Sequence, residues 1–437
     1  MTAEIAIMNK EAIAIAADSA VTLREGKIFN SANKIFSLSK YHPVGVMIYG
    51  AADFMGIPWE TMLKTYRGGL DTKKFDTLKE YANDFINFLI WEKRLIPESE
   101  QEKHFKFNVY SYFSFIRKEI EEEIEEIIIE RDEIADNELE EITSKIIKKH
   151  CDRWAKAELD TSIPENYTKD LIDGYETTID EAKKDVLENL PLDKALSKQL
   201  TEVAVSLFVK FSDRFIHEKI LHSSGVVIAG FGTEDIFPSL QSVLIEGVVN
   251  NNLKYKIYDA AEITFQNSAS IVPFAQHEMV DIFMEGVEPG YGMVIEEYLY
   301  QIFEKYPEDI IDSIEELDAD EKRKSKEKLK GAGSELLDRH KEELRKYRRT
   351  NYVNPVLDVV SALPKDELAA MAESLVNLTS FKRKMSMDAE TVAGPIDVAV
   401  ISKGDGFIWI KRKHYFEREL NPQFFANYYR VAGNEEE

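Results

Sequence analysis

The stretch TAEIAIMNKEAIAIAADS, from Thr2 to Ser19, holds two short apolar runs, Ala3–Met8 and Ala12–Ala17, on either side of Asn9-Lys10-Glu11. Runs this brief, parted by polar turn formers, predict two strands joined as a hairpin. Two further strands are predicted at Lys34–Leu38 and Val44–Tyr49, followed by a helix from Phe54 to Tyr66. Farther along, Gly225–Phe231, Ser242–Val249, Leu253–Ile257 and Glu262–Phe265 read as strands. Gln276–Glu285 and Lys365–Phe381 read as helices. Pro395–Ser402 and Phe407–Lys411 read as a last hairpin, turning at Lys403-Gly404-Asp405-Gly406. Four strands, helices, four strands, helices and two strands predict two sheets sandwiched between helical layers.

Glycine usage separates this material from the rest. Between Leu70 and Ser224 the only glycine is Gly174, and between Pro97 and Pro164 there is neither glycine nor proline. Ile116, Ile120, Ile124, Ile127 and Ile128 recur at helical spacing among glutamates. The block from about Asp71 to Leu221 is therefore predicted to be almost wholly helical, as is a charged block from about Tyr298 to Arg349. The Glu-rich runs read as solvated helix faces.

The chain has 437 residues, enough for a large core, and 44% of them are hydrophobic, which excludes a disordered chain. A net charge of −25 argues against general binding to nucleic acid or to an anionic membrane, since both need a basic surface. One cysteine, Cys151, excludes an intrachain disulfide framework and a cysteine-cluster metal site. No basic leader or long apolar run marks a signal peptide or a membrane helix, so the expected location is the cytoplasm.

The first 50 residues hold a set of groups suited to nucleophilic chemistry. Thr2 follows Met1, and removal of Met1 would give one residue both a hydroxyl and a free α-amine. An amine titrating near pH 8 can take the hydroxyl proton as a general base. Asp18 ends an apolar strand, where its carboxylate can hold Lys34 charged and oriented. A lysine beside Thr2 lowers the pKa of the amine by charge repulsion. Gly50 ends the Val46–Tyr49 run, where a backbone N–H can face an oxyanion.

Taken together, Thr2-Ala-Glu-Ile-Ala-Ile, Ile13-Ala-Ile-Ala-Ala-Asp18-Ser19, Lys34-Ile-Phe and Tyr49-Gly50 resemble the catalytic half of a proteasome β subunit or its bacterial HslV-type relative. These are N-terminal nucleophile (Ntn) hydrolases. The resemblance implies an α+β fold, an αββα four-layer sandwich, with a large helical insertion. It covers about 1–70, 222–290 and 355–415. The implied division is 1–70, 222–297 and 355–437 as three parts of one core, with 71–221 and 298–354 as helical insertions. It implies Thr2 as nucleophile, Asp18 and Lys34 as its supporting pair, and Gly50 as the oxyanion glycine, with about two extra residues in the Tyr41-His42-Pro43 turn.

The family's Asp-x-x-Ser pair, which supports the threonine amine, matches Asp388-Ala389-Glu390-Thr391 with threonine for serine. The turn after it is about one residue longer than usual, and Asp397 competes as the functional carboxylate. Ser268 and Ser270 are candidates for the family's other supporting serine. Other signals carry less. Gly230-Phe231-Gly232 lacks a third glycine for a phosphate fingerprint. The histidines form no His-Glu-x-x-His motif. The basic run Lys341–Arg349 reads as a solvated helix face.

The expected function is thus a threonine-type hydrolase, a peptidase cleaving peptide or small amide substrates through an acyl-enzyme on Thr2, with no cofactor and no metal. Rival expectations are a small-molecule amidase using the same nucleophile, an inactive scaffold or assembly subunit, and a helical interaction protein. The resemblance also implies a homo-oligomer, its ring formation open, and a separate ATPase partner. No nucleic acid or membrane partner is expected.

Overall fold

A computed structural model describes residues 3–22, 27–131, 133–160, 162–211, 223–386 and 392–429. The chain is an α+β protein. Among the described residues its longer strands are β1 (Ala3–Asn9), β2 (Ala12–Ala17), β3 (Ile35–Ser37), β4 (Val44–Gly50), β5 (Ser224–Gly230), β6 (Ser239–Val249), β7 (Asn252–Glu262), β8 (Ala269–Ala275), β9 (Asp397–Ser402) and β10 (Gly406–Lys411). The helices are α1 (Trp59–Leu70), α2 (Leu78–Trp91), α3 (Glu98–Arg131), α4 (Asp136–Lys156), α5 (Tyr167–Val186) and α6 (Lys194–Val209). They continue with α7 (Glu278–Glu285), α8 (Pro289–Asp312), α9 (Ala319–Arg348), α10 (Asn354–Ala362), α11 (Lys365–Met385) and α12 (Pro422–Tyr429). Contacts divide the chain into two units, one within 1–35, 236–238 and 261–437, the other within 36–235 and 239–260.

The first unit is built on a five-stranded antiparallel sheet of order β8-β1-β2-β9-β10. Ala3, Ile5 and Ile7 of β1 share one face with Ala12, Ala14 and Ala16 of β2. Leu368, Ala372, Leu375 and Val376 pack on that face at helical spacing along α11, and the alanines of β2 leave room for the helix. Glu4, Ala6, Met8, Ile13 and Ile15 on the opposite face are buried as well. Burial of both faces is why the hairpin reads as unbroken apolar runs rather than as an alternation. Asn9 holds the turn: its Oδ1 accepts from the Glu11 and Ala12 N–H groups, while its Nδ2 donates to the Val360 and Leu363 carbonyls where α10 meets α11.

The second unit has a five-stranded sheet of order β7-β6-β5-β4-β3. Val44, Val46 and Ile48 of β4, with Val226 and Ile228 of β5, face α1 and α2. Trp59 anchors α1, its Nε1 donating to Ser224 Oγ at 2.8 Å. Residues 98–209 carry helices α3 to α6 around a core that includes Phe105, Tyr112, Ile116, Ile120, Ile147 and Trp154. Among the described residues no helix is long and apolar enough to cross a membrane.

The structure departs from the sequence reading in several places, among them a short ladder of Glu158–Leu159 with Lys210–Phe211 inside the block read as almost wholly helical and another of Val21–Thr22 with Ile28–Phe29. The helix predicted from Phe54 begins at Trp59, because Asp53–Phe54 pairs with Ile57–Pro58 in a small hairpin and Phe54 stacks on Trp59 instead. Glu262 is the end of β7, not the start of a strand. Thr264 Oγ1 then accepts from the Gln266 and Asn267 N–H groups in a turn, and the next strand is Ala269–Ala275. Pro273 masks that strand in the sequence. It is tolerated because β8 is an edge strand, where a missing N–H costs no ladder bond on the open side.

Inside the helical core, Trp154 Nε1 donates to Tyr112 Oη at 2.8 Å, and Tyr112 Oη lies 2.9 Å from His150 Nδ1. On the other side of the ring, Glu119 Oε2 lies 3.4 Å from His150 Nε2 and opposes the effect of burial. Burial pushes the His150 pKa down to about 4. Between 6.5 and about 4 an unfolded chain binds a proton that the folded one refuses, so stability falls as pH falls through that window. The loss expected is roughly 3 kcal/mol. Urea unfolding at both ends of the window checks it, and His150→Gln should flatten the dependence.

Candidate active site

β2 ends at Ala17, and the next residue, Asp18, clasps the first described residue of β1 twice. Its backbone N–H donates to the Ala3 carbonyl, and its Oδ1 accepts from the Ala3 N–H, both at 3.1 Å. Lys34 Nζ donates to the same Oδ1 at 2.6 Å. Oδ2 accepts from the Ala20 and Ala393 N–H groups at 3.0 and 3.2 Å. Asp18 and Lys34 are both buried. A carboxylate withdrawn from water needs this many donors, because each unmet lone pair would carry the full desolvation cost.

Residues 392–395 close on the same point. Ser19 N–H donates to the Ala393 carbonyl, the Ala32 N–H donates to the Ser19 carbonyl, and Ser19 Oγ bonds the Pro395 carbonyl. Gly394 permits this crossing. It has φ +84°, and a Cβ there would stand 2.7 Å from the Asn30 carbonyl oxygen. Residues 18–20, 30–34 and 392–395 therefore converge on the Asp18 carboxylate.

A further ionisable group at this end of the sheet escaped the sequence reading. Glu4 is buried in the middle of an apolar strand, opposite Ala17 and Phe274, and neither of its carboxyl oxygens has a hydrogen-bond partner among the described residues. Burial pushes its pKa well above the usual carboxyl range. Lys34 opposes that shift and Asp18 adds to it. The one charged residue in an otherwise apolar run was the available signal. As pH rises above the ordinary value of 4.5, the unfolded chain releases this proton while the folded chain keeps it, so Glu4 lowers stability increasingly towards neutral pH. Glu4→Met is expected to stabilise by about 1–3 kcal/mol at neutral pH and by less in acid, as read from denaturant midpoints.

Of the residues singled out from the sequence, Asp18 and Lys34 are brought together. Gly50 lies in the second unit, with φ +83° and a position at which a Cβ would meet the Ser223 carbonyl oxygen at 2.5 Å. Thr2, Asp388 and Thr391 lie outside the described residues. Asp397 sits opposite Ala17, but its carboxylate is taken by the backbone N–H and Nζ of Lys413, which pin the chain after β10. Ser270 pairs with Met8, five positions along β1 from Ala3, so it stands roughly 16 Å from the Asp18 end of the strand. Ser268 precedes β8 at that same far end. Neither serine reaches the clasp. Among the described residues no cluster of three or more His, Cys, Asp or Glu is placed to hold a metal ion.

No protein-family model matches this chain, and no curated protein matches it.

Proposed function

We propose that this chain is a proteasome-like N-terminal threonine hydrolase of αββα architecture, cleaving amide bonds. The observation that carries the reading is the clasp at Ala3. A buried carboxylate binds the backbone of the residue after Thr2 and, through the same oxygen, the Lys34 ammonium. A strand end that served packing alone would gain nothing from a desolvated ion pair at that point.

Thr2 acts as the N-terminal residue once whatever precedes it is removed. Its Oγ attacks the substrate carbonyl carbon while its own α-amine accepts the hydroxyl proton. The Gly50 N–H donates to the oxyanion of the tetrahedral intermediate. The amine returns the proton to the departing nitrogen, and the carbonyl carbon is left as an ester on Thr2. Water then attacks that ester with the amine again as base, releasing the acid and restoring Thr2. Lys34 keeps the amine unprotonated by charge repulsion, Asp18 orients Lys34, and Asp388 and Thr391 hold the amine. The test is exposure to a threonine-directed β-lactone followed by intact-mass analysis and peptide mapping. One adduct, on Thr2 of a chain that starts at Thr2, is expected. An active preparation that keeps residues ahead of Thr2 overturns the mechanism.

A further inference from the structure

β8 ends beside the clasp in a conformation that alanine rarely takes. Ala275, the register partner of Ala3, has φ +60°. A residue with a Cβ is strained in the left-handed region and stays there only where its surroundings impose it. Here the turn carries the chain out of the sheet and straight into α7, whose N-cap is His277. Two ties from the last turn of α11 hold that start. Arg383 Nε donates to Oε1 of the buried Gln276 at 2.6 Å, and Lys382 Nζ donates to Glu278. The beginning of α7 is therefore fixed at the Ala3 end of β1.

His277 stands at the N-cap, yet its side chain makes no capping bond. Its Nδ1 lies 2.5 Å from Asp281 Oδ2, one turn along α7, and the Asp281 N–H donates to the His277 carbonyl at 2.9 Å. A carboxylate oxygen only accepts, so Nδ1 carries a proton and the neutral ring presents Nε2 as an acceptor. No hydrogen bond among the described residues uses Nε2, and the side chain is 45% exposed. An imidazole oriented by a carboxylate, with its second nitrogen open, is an arrangement suited to handling a proton or a water. His277 is two residues past Ala275, so its Cα stands within roughly 12 Å of the Ala3 Cα, and the ring extends the reach from there.

In the mechanism above the acyl ester is carried by the residue just before Ala3. A water that attacks this ester gives one hydrogen to the amine, and its other hydrogen needs an acceptor. We propose that His277, oriented by Asp281, accepts that second hydrogen at Nε2 and so positions the water that hydrolyses the acyl-enzyme. The proposal rests on the threonine-hydrolase reading. The water oxygen bonds to the ester carbonyl carbon, the amine takes the proton, the bond to Thr2 Oγ breaks, and Oγ recovers that proton from the amine. His277 keeps its hydrogen bond throughout and transfers nothing. Acylation consumes no water and does not need it.

Rapid-quench kinetics with a p-nitrophenyl peptide ester, followed by intact-mass analysis, separate the two steps. His277→Ala should acylate within about twofold of wild type and deacylate at least about 10-fold more slowly, so that the acyl mass accumulates on Thr2. Asp281→Asn should show a smaller loss in the same step, and His277→Gln, which keeps an acceptor, should retain more than His277→Ala. Free imidazole should speed deacylation of His277→Ala and leave wild type unchanged, a response that a packing role would not give. Circular dichroism confirms that the variants fold. A His277→Ala protein that acylates and deacylates within about twofold of wild type overturns the proposal and leaves the threonine-hydrolase reading standing. So does an equal loss in both steps without rescue by imidazole, which would make the pair architectural. A wild-type chain that forms no acyl adduct on Thr2 overturns the reading and the proposal together.

Discussion

Thr2→Ala is expected to bring amide hydrolysis down to background, a loss of at least about 10,000-fold, because the substitution removes the atom that forms the acyl ester. The α-amine remains, but it has no hydroxyl to activate. Thr2→Ser should keep part of the rate, since it retains the oxygen and loses only the methyl group that restricts χ1. The β-lactone adduct should vanish in the alanine variant and persist in the serine variant. Stability should change little, because the residue stands ahead of the first ladder pair, Ala3 with Ala275. The measurements are turnover of a small fluorogenic amide and the unfolding midpoint of each variant. Turnover in Thr2→Ala at the wild-type rate would remove the nucleophile assignment, and a scaffold or another hydrolytic centre would have to be sought.

The β1–β2 hairpin, the Asp18–Lys34 pair and the last hairpin were legible because each is local. Apolar runs of strand length with polar turns between them leave few alternatives, and a charged residue closing an apolar strand must find a partner. The long helices between Pro97 and Pro164 were legible for a related reason: with neither glycine nor proline in that stretch, isoleucines at helical spacing determine the element type. Features that depend on which strand is an edge were not. Pro273 argues against a strand until β8 is known to lie at the margin of the sheet. Phe54 carries no mark to show that it stacks on Trp59 from a small hairpin rather than opening the helix.

Within the candidate site the limit was side-chain engagement. Asp397 and Asp18 look alike in sequence, each a carboxylate at the margin of an apolar strand. Their difference lies in Lys413, sixteen residues after Asp397, which occupies that carboxylate. Glu4 was overlooked because a single acid in a strand normally marks the solvent face. Here both faces of β1 are buried, so the acid is stranded without donors. Gly50 was singled out as an oxyanion donor; what its surroundings show is a steric need for glycine, the approach of the Ser223 carbonyl.

The Lys34 and Asp18 variants should separate chemistry from architecture. Lys34→Ala leaves the Asp18 carboxylate buried with three backbone N–H donors and no cation. Removing one member of a buried pair typically costs about 3–5 kcal/mol, so the unfolding midpoint should fall clearly. The rate should fall by at least about 100-fold if Lys34 keeps the Thr2 amine unprotonated, and the alkaline pH needed for activity should rise, because the amine then titrates nearer its ordinary value. Lys34→Arg should rescue poorly, since a planar guanidinium does not fit where a compact ammonium reaches Oδ1 at 2.6 Å. Asp18→Asn keeps the shape but replaces one accepting oxygen by an NH₂ donor. Whichever way the amide turns, that donor faces either the Ala3 N–H and Lys34 or the N–H groups of Ala20 and Ala393. Both stability and rate should suffer. The double variant Asp18→Leu with Lys34→Met removes both charges together, so it should recover part of the stability that Lys34→Ala loses and none of its activity. A Lys34→Ala protein that is destabilised yet turns over within a few-fold of wild type, with an unchanged pH profile, would make the pair architectural and withdraw Lys34 from the mechanism.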